Sequence, residues 1–322
     1  QGWINTMDST SNVRGAPPFI QASVSGACNT LVTAPCCANA KIATFTGPGS
    51  FTVTAAALCA ANNIVSHLIV AGGGSGGTGC SGGGAGAGGF REVKSPITPY
   101  TASPLDGYST PANRVTVTAQ TYSIVVGGGA PGQATAPNSC NSDGTRGNNS
   151  SFGGIISTGG GAGGDGPAGP EGPGGSGGGG GHSSGTAGNG NTPPVSPAQG
   201  FNGRPSQPAT GPAPSDAGGA GGGATAAGTC GSSGHQGGAG ATTSISATPT
   251  AYAGGGGGSN RCGGTSGDVA GGAGGGGRGA SNPRPRPAFD GTGQNGTANT
   301  GGGGGAGGSL VSGGPIGGTG SG

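Results

Sequence analysis

Long glycine tracts constrain this chain more than any other feature of its sequence. One of them, residues 82–89, reads GGGAGAGG and follows a strand-like apolar run that ends at Val70. Glycine loses more conformational entropy on folding than any other residue and brings no side chain to a core. A fold built on such tracts therefore needs another source of stability. Without Cβ atoms, extended backbones can pack closely, as at the axis of collagen, and hydrogen bonds between them then offset the entropy.

Composition narrows the class of protein. The 322 residues include 89 glycines and 25 prolines, together more than a third of the chain, while only 6% are charged. This glycine and proline content is above the threshold at which sequences are usually low-complexity or disordered. A net charge of only +2, however, provides little charge repulsion to keep the chain unfolded. The charge also gives no basic surface for nucleic acid. No apolar segment reaches the roughly 20 residues of a membrane helix. We therefore expect neither nucleic-acid binding nor a membrane span.

The distribution of β-branched residues and proline predicts the fold class. The best strand candidates are IVSHLIV (64–70), RVTVTA (114–119), TYSIVVGGG (121–129) and SSFGGIIST (150–158). No stretch combines helix formers with apolar positions three and four apart. After about residue 160, glycine tracts alternate with proline-rich stretches, and proline favours polyproline II geometry. We predict a mainly β plus irregular fold, in which a small β part joins packed polyglycine and polyproline II-type extended helices, with essentially no α-helix.

Changes in composition along the chain suggest three regions. We predict an N-terminal strand and assembly segment (1–45), a glycine-rich β domain (46–160) and a Gly/Pro-rich extended-helix region (161–322). Exposed strand edges invite pairing, so we expect the N-terminal strands to complete a sheet on a neighbouring subunit. The stretch GPAGPEGPG (166–174) keeps glycine at every third position, but the following GGSGGGGGH breaks the triplet rule and excludes a long collagen helix.

The cysteines are even in number and scattered, which is typical of disulfides in a secreted chain. The candidates are Cys28, Cys36, Cys37, Cys59, Cys80, Cys140, Cys230 and Cys262. Their connectivity stays open, although the adjacent Cys36 and Cys37 are expected to have different partners. No C-x-x-C pair occurs and the three histidines stand far apart, so we predict no metal site. The chain begins at Gln1 rather than methionine, from which we expect an exported protein.

Five sequence elements follow one another between about residues 45 and 165. They read TFTGPGSFTV, SHLIVAGGGSGG, GAGAGGFREV, TYSIVVGGGAPG and NSSFGGIISTGGGAGG. In this order they resemble the glycine-rich domain of phage tail-fibre and minor tail proteins and of related environmental surface proteins. The resemblance implies β-strands that lead into a stacked layer of glycine helices. In tail-fibre adhesins of this kind, loops between the glycine helices carry receptor specificity.

The spacing Gly72-x-Gly74-x-x-Gly77 after a strand formally matches the dinucleotide-binding fingerprint. That chemistry requires a helix beginning at the third glycine, with the pyrophosphate at its N-terminus. The continuation TGCSGGGAGAGG cannot form a stable helix. We interpret the motif as structural and expect no cofactor. No nucleophile elbow stands between a strand and a helix, and the few acids and histidines are scattered, so we expect no catalytic residues and no enzyme.

Candidate glycosylation sites suggest a function at the surface. Sequons at Asn148, Asn149 and Asn295 are candidates for N-linked glycosylation. The proline-rich stretches could additionally carry O-linked sugar.

Most of the aromatic residues lie in the first half of the chain. Phe45, Phe51 and Tyr122 lie within predicted strands and are assigned to the core. Tyr100 and Tyr108 lie in predicted loops and are candidates for stacking on a sugar.

These features predict a structural protein. We expect a secreted, disulfide-linked, glycine-rich subunit of an extracellular fibre or filament, whose partners are copies of itself. One alternative is a phage tail-fibre adhesin at the virion surface, which recognises a surface glycan or an outer-membrane receptor. Another is an ice-binding protein with flat arrays of threonine and alanine. A filament subunit polymerises without a ligand, whereas an adhesin is a terminal monomer or trimer and an ice binder has a flat, regular face.

Overall fold

A computed structural model describes most of the chain. The described residues are 17–35, 37, 39–79, 81–133, 141–166, 172–182, 185–207, 217–229, 235–259, 269–280, 291–308 and 316–322. They form short antiparallel strands, two 3₁₀ turns (Ala60–Asn63 and Pro111–Asn113) and extended segments, with no α-helix in these ranges. The predicted mainly β plus irregular fold is therefore confirmed.

The strands are short, and most precede residue 160. They are β1 (Gln21–Ser25), β2 (Thr30–Thr33), β3 (Lys41–Thr44), β4 (Gly49–Ala55), β5 (Ile64–Val65), β6 (His67–Val70), β7 (Thr78–Gly79), β8 (Phe90–Val93), β9 (Val115–Thr116), β10 (Thr121–Val125), β11 (Asn141–Ser142), β12 (Ser150–Phe152), β13 (Ile155–Ser157), β14 (Ala241–Thr243) and β15 (Thr250–Tyr252). Each of the four best strand candidates contains at least one of them. β8 and the hairpin β14–β15 were not predicted as strands, and the hairpin lies in the region expected to be purely extended helix.

A five-stranded antiparallel sheet with the order β1-β4-β10-β12-β13 forms the largest β element. The valines Val53, Val115 and Val117 are buried beneath it. Phe51 and Tyr122 pack against these valines, and each ring lies edge-on to Phe152 with centroids 6.0 Å apart. Phe51 and Tyr122 thus belong to the core to which the sequence assigned them, whereas Phe45 is half-buried and is not a member of this cluster.

The glycine tract between β6 and β8 extends away from this strand pair and then runs back to it. β6 pairs with β8, placing Val70 opposite Phe90. The chain between these two positions runs out along residues 71–77 and back along the central glycine helix, residues 82–89. The two runs bond to each other, for example from Gly74 N to Gly86 O at 3.0 Å and from Gly77 N to Gly83 O at 2.9 Å. A strand pair therefore anchors a long glycine hairpin.

The central glycine helix donates hydrogen bonds in three directions with a period of three residues. Gly83, Gly84 and Ala85 donate to Gly164, Gly219 and Gly304, at 2.8, 2.9 and 2.9 Å. The next three residues repeat the pattern on the same segments, with acceptors Gly161, Gly222 and Gly301. Three residues per turn is the geometry of a polyproline II-type helix.

The carbonyl groups of the same helix accept from three further segments. Gly77, Gly179 and Gly256 donate to the carbonyls of Gly83, Gly84 and Ala85. The central glycine helix thus lies inside a ring formed by residues 71–77, 158–164, 174–181, 218–224, 253–259 and 301–307. We call this hexagonal array and its continuation the glycine lattice. Beyond the ring it continues through residues 127–132, 144–149, 185–190, 201–206, 235–240, 269–272, 276–280, 291–296 and 316–322.

An alanine-rich cluster joins the lattice to the strands. Ala87, Phe90, Ala224, Ala241 and Ala253 are buried together, with Leu68, Val70, Leu105 and Tyr252 packed against them. Segments on both sides of residue 160 share this cluster and the lattice. The division of the chain into three regions remains a prediction.

Candidate functional site

Side chains are almost excluded from the interior of the glycine lattice. A Cβ atom at Gly84 would lie 2.3 Å from Gly256 O, and one at Gly88 would lie 1.9 Å from Ala71 O. Real Cβ atoms do not approach other atoms so closely. The lattice therefore packs mainly backbone on backbone, with small side chains such as those of Ala85 and Ser176 buried within it.

The formal dinucleotide fingerprint lies inside this lattice. The N–H groups of Gly72, Gly74 and Gly77 donate to the carbonyls of Asn148, Gly86 and Gly83, at 3.0, 3.0 and 2.9 Å. Phosphate binding would require these donors to be free. Their engagement in the lattice supports the structural interpretation of the motif.

A buried carboxylate organises the loop after β8. Glu92 is only 2% exposed, and its Oε2 accepts from Ser103 N at 2.8 Å. Its Oε1 accepts from Thr243 Oγ1 at 2.5 Å, which ties β8 to the hairpin β14–β15. Sequence reasoning did not identify Glu92. The sequence did contain one indication of its burial: Glu92 is an isolated acid in the strand-like FREV (90–93), in a chain with very few charges.

The two tyrosines predicted to stack on a sugar are engaged within the protein. Burial, followed by the negative charge of Glu92, raises the pKa of Tyr100 strongly, and its hydroxyl lies 3.5 Å from Val93 O. The guanidinium of Arg114 lies over the ring of Tyr108, 4.2 Å from its centroid. Both rings thus make contacts within the protein, and stacking of either ring on a sugar remains a prediction.

His67 is buried at the junction of β6, β8 and the sheet. It is 7% exposed, and Phe152 packs edge-on with ring centroids 6.0 Å apart. Neither ring nitrogen of His67 has a hydrogen-bond partner among the described residues. Burial lowers the pKa of His67 to about 4. The cavity beside it, which Arg91 and Asn113 also line, measures about 10 Å³. This is about the volume that a single water needs, so the cavity excludes an organic substrate.

A larger, open groove lies beside β10. It measures about 490 Å³, within the usual range of ligand pockets of about 300–1,000 Å³. Its polar lining comes from Arg114, Thr116, Gln120, Thr121, Tyr122 and Ser123. We call it the β10 groove. Arginine is its one charged lining residue, and none of the lining residues is acidic.

The turn between β12 and β13 forms one wall of the β10 groove. Gly153 and Gly154 adopt φ values of +57° and +86°, which L-residues rarely adopt and which suit a two-residue hairpin turn. A Cβ at Gly153 would lie 2.6 Å from Val115 Cγ1, whereas one at Gly154 would meet open space. Because glycine has no side chain, this turn adds little height to the wall of the groove.

Arg114 and Tyr122 are held in place at the groove. Arg114 Nε donates to Tyr108 O at 2.7 Å, in addition to the ring contact. The Tyr122 hydroxyl accepts from Thr118 N and Gln120 Nε2, both at 2.8 Å. Burial would raise the pKa of Tyr122, but these hydrogen bonds outweigh burial and lower it. The groove therefore presents preorganised polar groups.

The cysteines are only partly within the described residues. No disulfide joins any two of Cys28, Cys37 and Cys59, and Cys28 and Cys59 are exposed. Cys36, Cys80, Cys140, Cys230 and Cys262 lie outside the described residues. The disulfide candidates remain predictions. The described part of the chain also contains no cluster of three or more His, Cys, Asp or Glu side chains suited to a metal ion.

All three sequon asparagines lie at the surface of the lattice. Asn148, Asn149 and Asn295 are exposed. Asn149 Oδ1 accepts from Gly159 N at 2.8 Å, and Asn295 Oδ1 accepts from Thr319 N at 2.9 Å. Asn148 joins the lattice through its backbone, since its N–H donates to Gly128 O. Glycosylation at these positions remains a prediction.

Comparisons with known proteins identify one family. A family model described as a glycine-rich domain matches residues 45–322. Neither a curated protein nor a solved structure matches the chain. In the described ranges, no helix has the length and apolar character needed to cross a membrane.

Proposed function

Because this chain belongs to the glycine-rich domain family, we propose that it is a structural protein, a secreted subunit of an extracellular fibre or filament. The observation that carries the proposal is the glycine lattice, in which the central glycine helix bonds to six neighbours. Its cohesion comes from backbone hydrogen bonds at every turn rather than from a conventional core. The proposed role of such a body is structural rather than catalytic.

The N-terminal strands provide a surface for association with copies of the same chain. β1 forms one edge of the five-stranded sheet. Phe19 before β1, Val32 on β2 and Leu58 after β4 are exposed by 44%, 51% and 60%. An unpaired strand edge beside exposed apolar side chains favours pairing between subunits. In this proposal the candidate cysteines form disulfides within or between subunits, and sugar at the exposed sequons covers the outer lattice.

A tail-fibre adhesin at the virion surface is the second candidate. The observation that favours it is the β10 groove, an open polar site that a purely structural subunit does not need. In that case the partner is a surface glycan or an outer-membrane receptor. The ice-binding alternative remains a prediction that no observed feature favours.

Electron microscopy of the native material under non-reducing conditions tests the proposal. Helical filaments that contain only this chain are expected. Discrete particles, or this chain found only at the tip of a larger fibre, would contradict the filament and favour the adhesin.

Single substitutions on β2 test the proposed contact between subunits. Val32→Lys is expected to shorten or abolish filaments, because it places a charge on the apolar surface. Thr33→Lys, on the exposed neighbouring residue, is the matched control and should leave filaments intact. Equal assembly of both variants would exclude this surface as the contact.

A further inference from the structure

We propose that the β10 groove binds an acidic sugar residue of a glycan, with Arg114 as the residue that holds its carboxylate. This inference goes beyond the structural role of the lattice, and it requires only that the β part is folded. The groove lies beside β10, whose outward-facing residues Thr121 and Ser123 are exposed.

Arg114 is positioned to receive an anion. Its Nε hydrogen bond and its stacking on Tyr108 fix the plane of the guanidinium. The side chain of Arg114 makes no other hydrogen bond or ion pair among the described residues, so its two terminal nitrogens remain available. A guanidinium fork matches the two oxygens of a carboxylate. Because no lining residue is acidic, the charge of Arg114 is not neutralised within the groove.

The other lining residues suit a sugar ring. Thr116, Gln120, Thr121, Tyr122 and Ser123 bring hydroxyl and amide groups to one open site. Groups that donate and accept are suited to the hydroxyls of a pyranose ring. The missing side chain at Gly154, where a Cβ would meet open space, leaves room for a ring to approach the strand.

The length of the free strand edge argues against a peptide as the occupant. β10 pairs with β12 at Ile124 and Val125, so its edge on that side is free only over Thr121–Ser123. Binding by strand addition depends on a row of main-chain hydrogen bonds along an exposed edge. Three residues offer too short a row, whereas a sugar residue needs only a local cluster of polar groups.

Binding to the full chain can be measured by calorimetry with defined probes. The acidic probe is a short oligogalacturonate, the neutral probe is a galacto-oligosaccharide of the same length, and a Glu-rich peptide represents the alternative class of ligand. We expect the oligogalacturonate to bind, with an affinity that falls as salt is added. The neutral sugar and the peptide should bind at least about tenfold more weakly.

Two pairs of variants locate the site. Arg114→Gln should weaken oligogalacturonate binding by about 10- to 100-fold, the range expected for a charge-assisted hydrogen bond. Arg146→Gln removes an exposed arginine outside the groove and should leave binding unchanged. Thr116→Glu places a negative charge in the groove and should weaken binding about tenfold more than Thr116→Gln, which has a similar size but no charge.

The Thr116 pair decides the question if Arg114→Gln does not fold. The proposal is overturned if the oligogalacturonate does not bind. It is also overturned if all variants bind equally, if the neutral sugar binds as well as the acidic one, or if only the peptide binds. Filament formation is measured separately, so failure of this site leaves the proposed structural role untouched.

Discussion

At most lattice positions, a carbonyl oxygen of one segment lies where a Cβ atom of its neighbour would be. The lattice interior therefore selects glycine by contact distance and not by backbone dihedral, since few of its glycines have positive φ. Ala85 and Ala87 show that a methyl group is accepted at certain positions, where both are fully buried. Tolerance to substitution should consequently change from one residue to the next along a single tract.

Gly127 and Gly128 give a matched test of this idea. A Cβ at Gly127 would lie 2.1 Å from Asn148 O, whereas the nearest atom to a Cβ at Gly128 would be 3.9 Å away. Gly127→Ala should lower the free energy of unfolding by about 1–3 kcal/mol or more through overpacking. Gly128→Ala should be neutral or raise it by about 0.4–1 kcal/mol, because alanine restricts the unfolded chain. Chemical denaturation measures both, and equal effects would contradict a lattice closed at Gly127.

His67 should make the protein less stable in weak acid. Its pKa is about 4 in the folded chain and 6.5 in the unfolded chain, so between these values the unfolded state binds more protons. Its full contribution to stability is present above about pH 6.5. As the pH falls to about 4, up to about 3 kcal/mol is lost.

Replacement of the imidazole tests the origin of this acid sensitivity. His67→Phe keeps an aromatic ring against Phe152 and should flatten the dependence of unfolding free energy on pH between 4 and 6.5. His182→Gln removes a different imidazole and serves as the control. An unchanged pH dependence in His67→Phe would show that other groups dominate.

At the scale of elements, runs of β-branched residues predicted the segments that contain β5, β6, β9, β10, β12 and β13. In β10, the alternation in TYSIV places Tyr122 and Ile124 inward and Thr121 and Ser123 outward. The hairpin β14–β15 was not predicted, because its strands ATT and TAY are short and lie among glycine tracts. What holds this hairpin is a contact distant in sequence, from Thr243 to Glu92, and no local pattern reports such a contact.

The bond between Thr243 and Glu92 should therefore stabilise the hairpin. Thr243→Val keeps the shape of the side chain but leaves a buried carboxylate oxygen without this donor. We expect a loss of about 1–3 kcal/mol in unfolding free energy and faster amide exchange in β14–β15. Thr242→Val, on the exposed face of the same strand, is the control and should change little. Equal losses in both variants would mean that the bond contributes nothing specific.

At the scale of the whole molecule, the glycine lattice is cooperative across the sequence. Four of the six neighbours of the central glycine helix lie beyond residue 170. A chain ending at residue 165 would leave the N–H groups of Gly84 and Ala85 without their acceptors, Gly219 and Gly304. Many backbone groups that are buried in the full lattice would then be exposed or unpaired.

We therefore expect the chain truncated at residue 165 not to fold. Its amide spectrum should show poor dispersion, and proteases should digest it far faster than the full chain under the same conditions. A well-dispersed spectrum and a resistant fragment would instead show that residues 46–160 fold independently, as the predicted division into regions implies.

The sequence by itself determined the kind of structure that this chain can form. Abundant glycine without large apolar residues leaves hydrogen bonds between extended backbones as the main source of stability, and β-branched runs specify where strands interrupt them. Only the tertiary structure decided which glycine segments are neighbours, because one glycine tract is chemically almost the same as another. It also decided the position of the β10 groove and the burial of Glu92 and His67, since these depend on contacts between residues far apart in the chain.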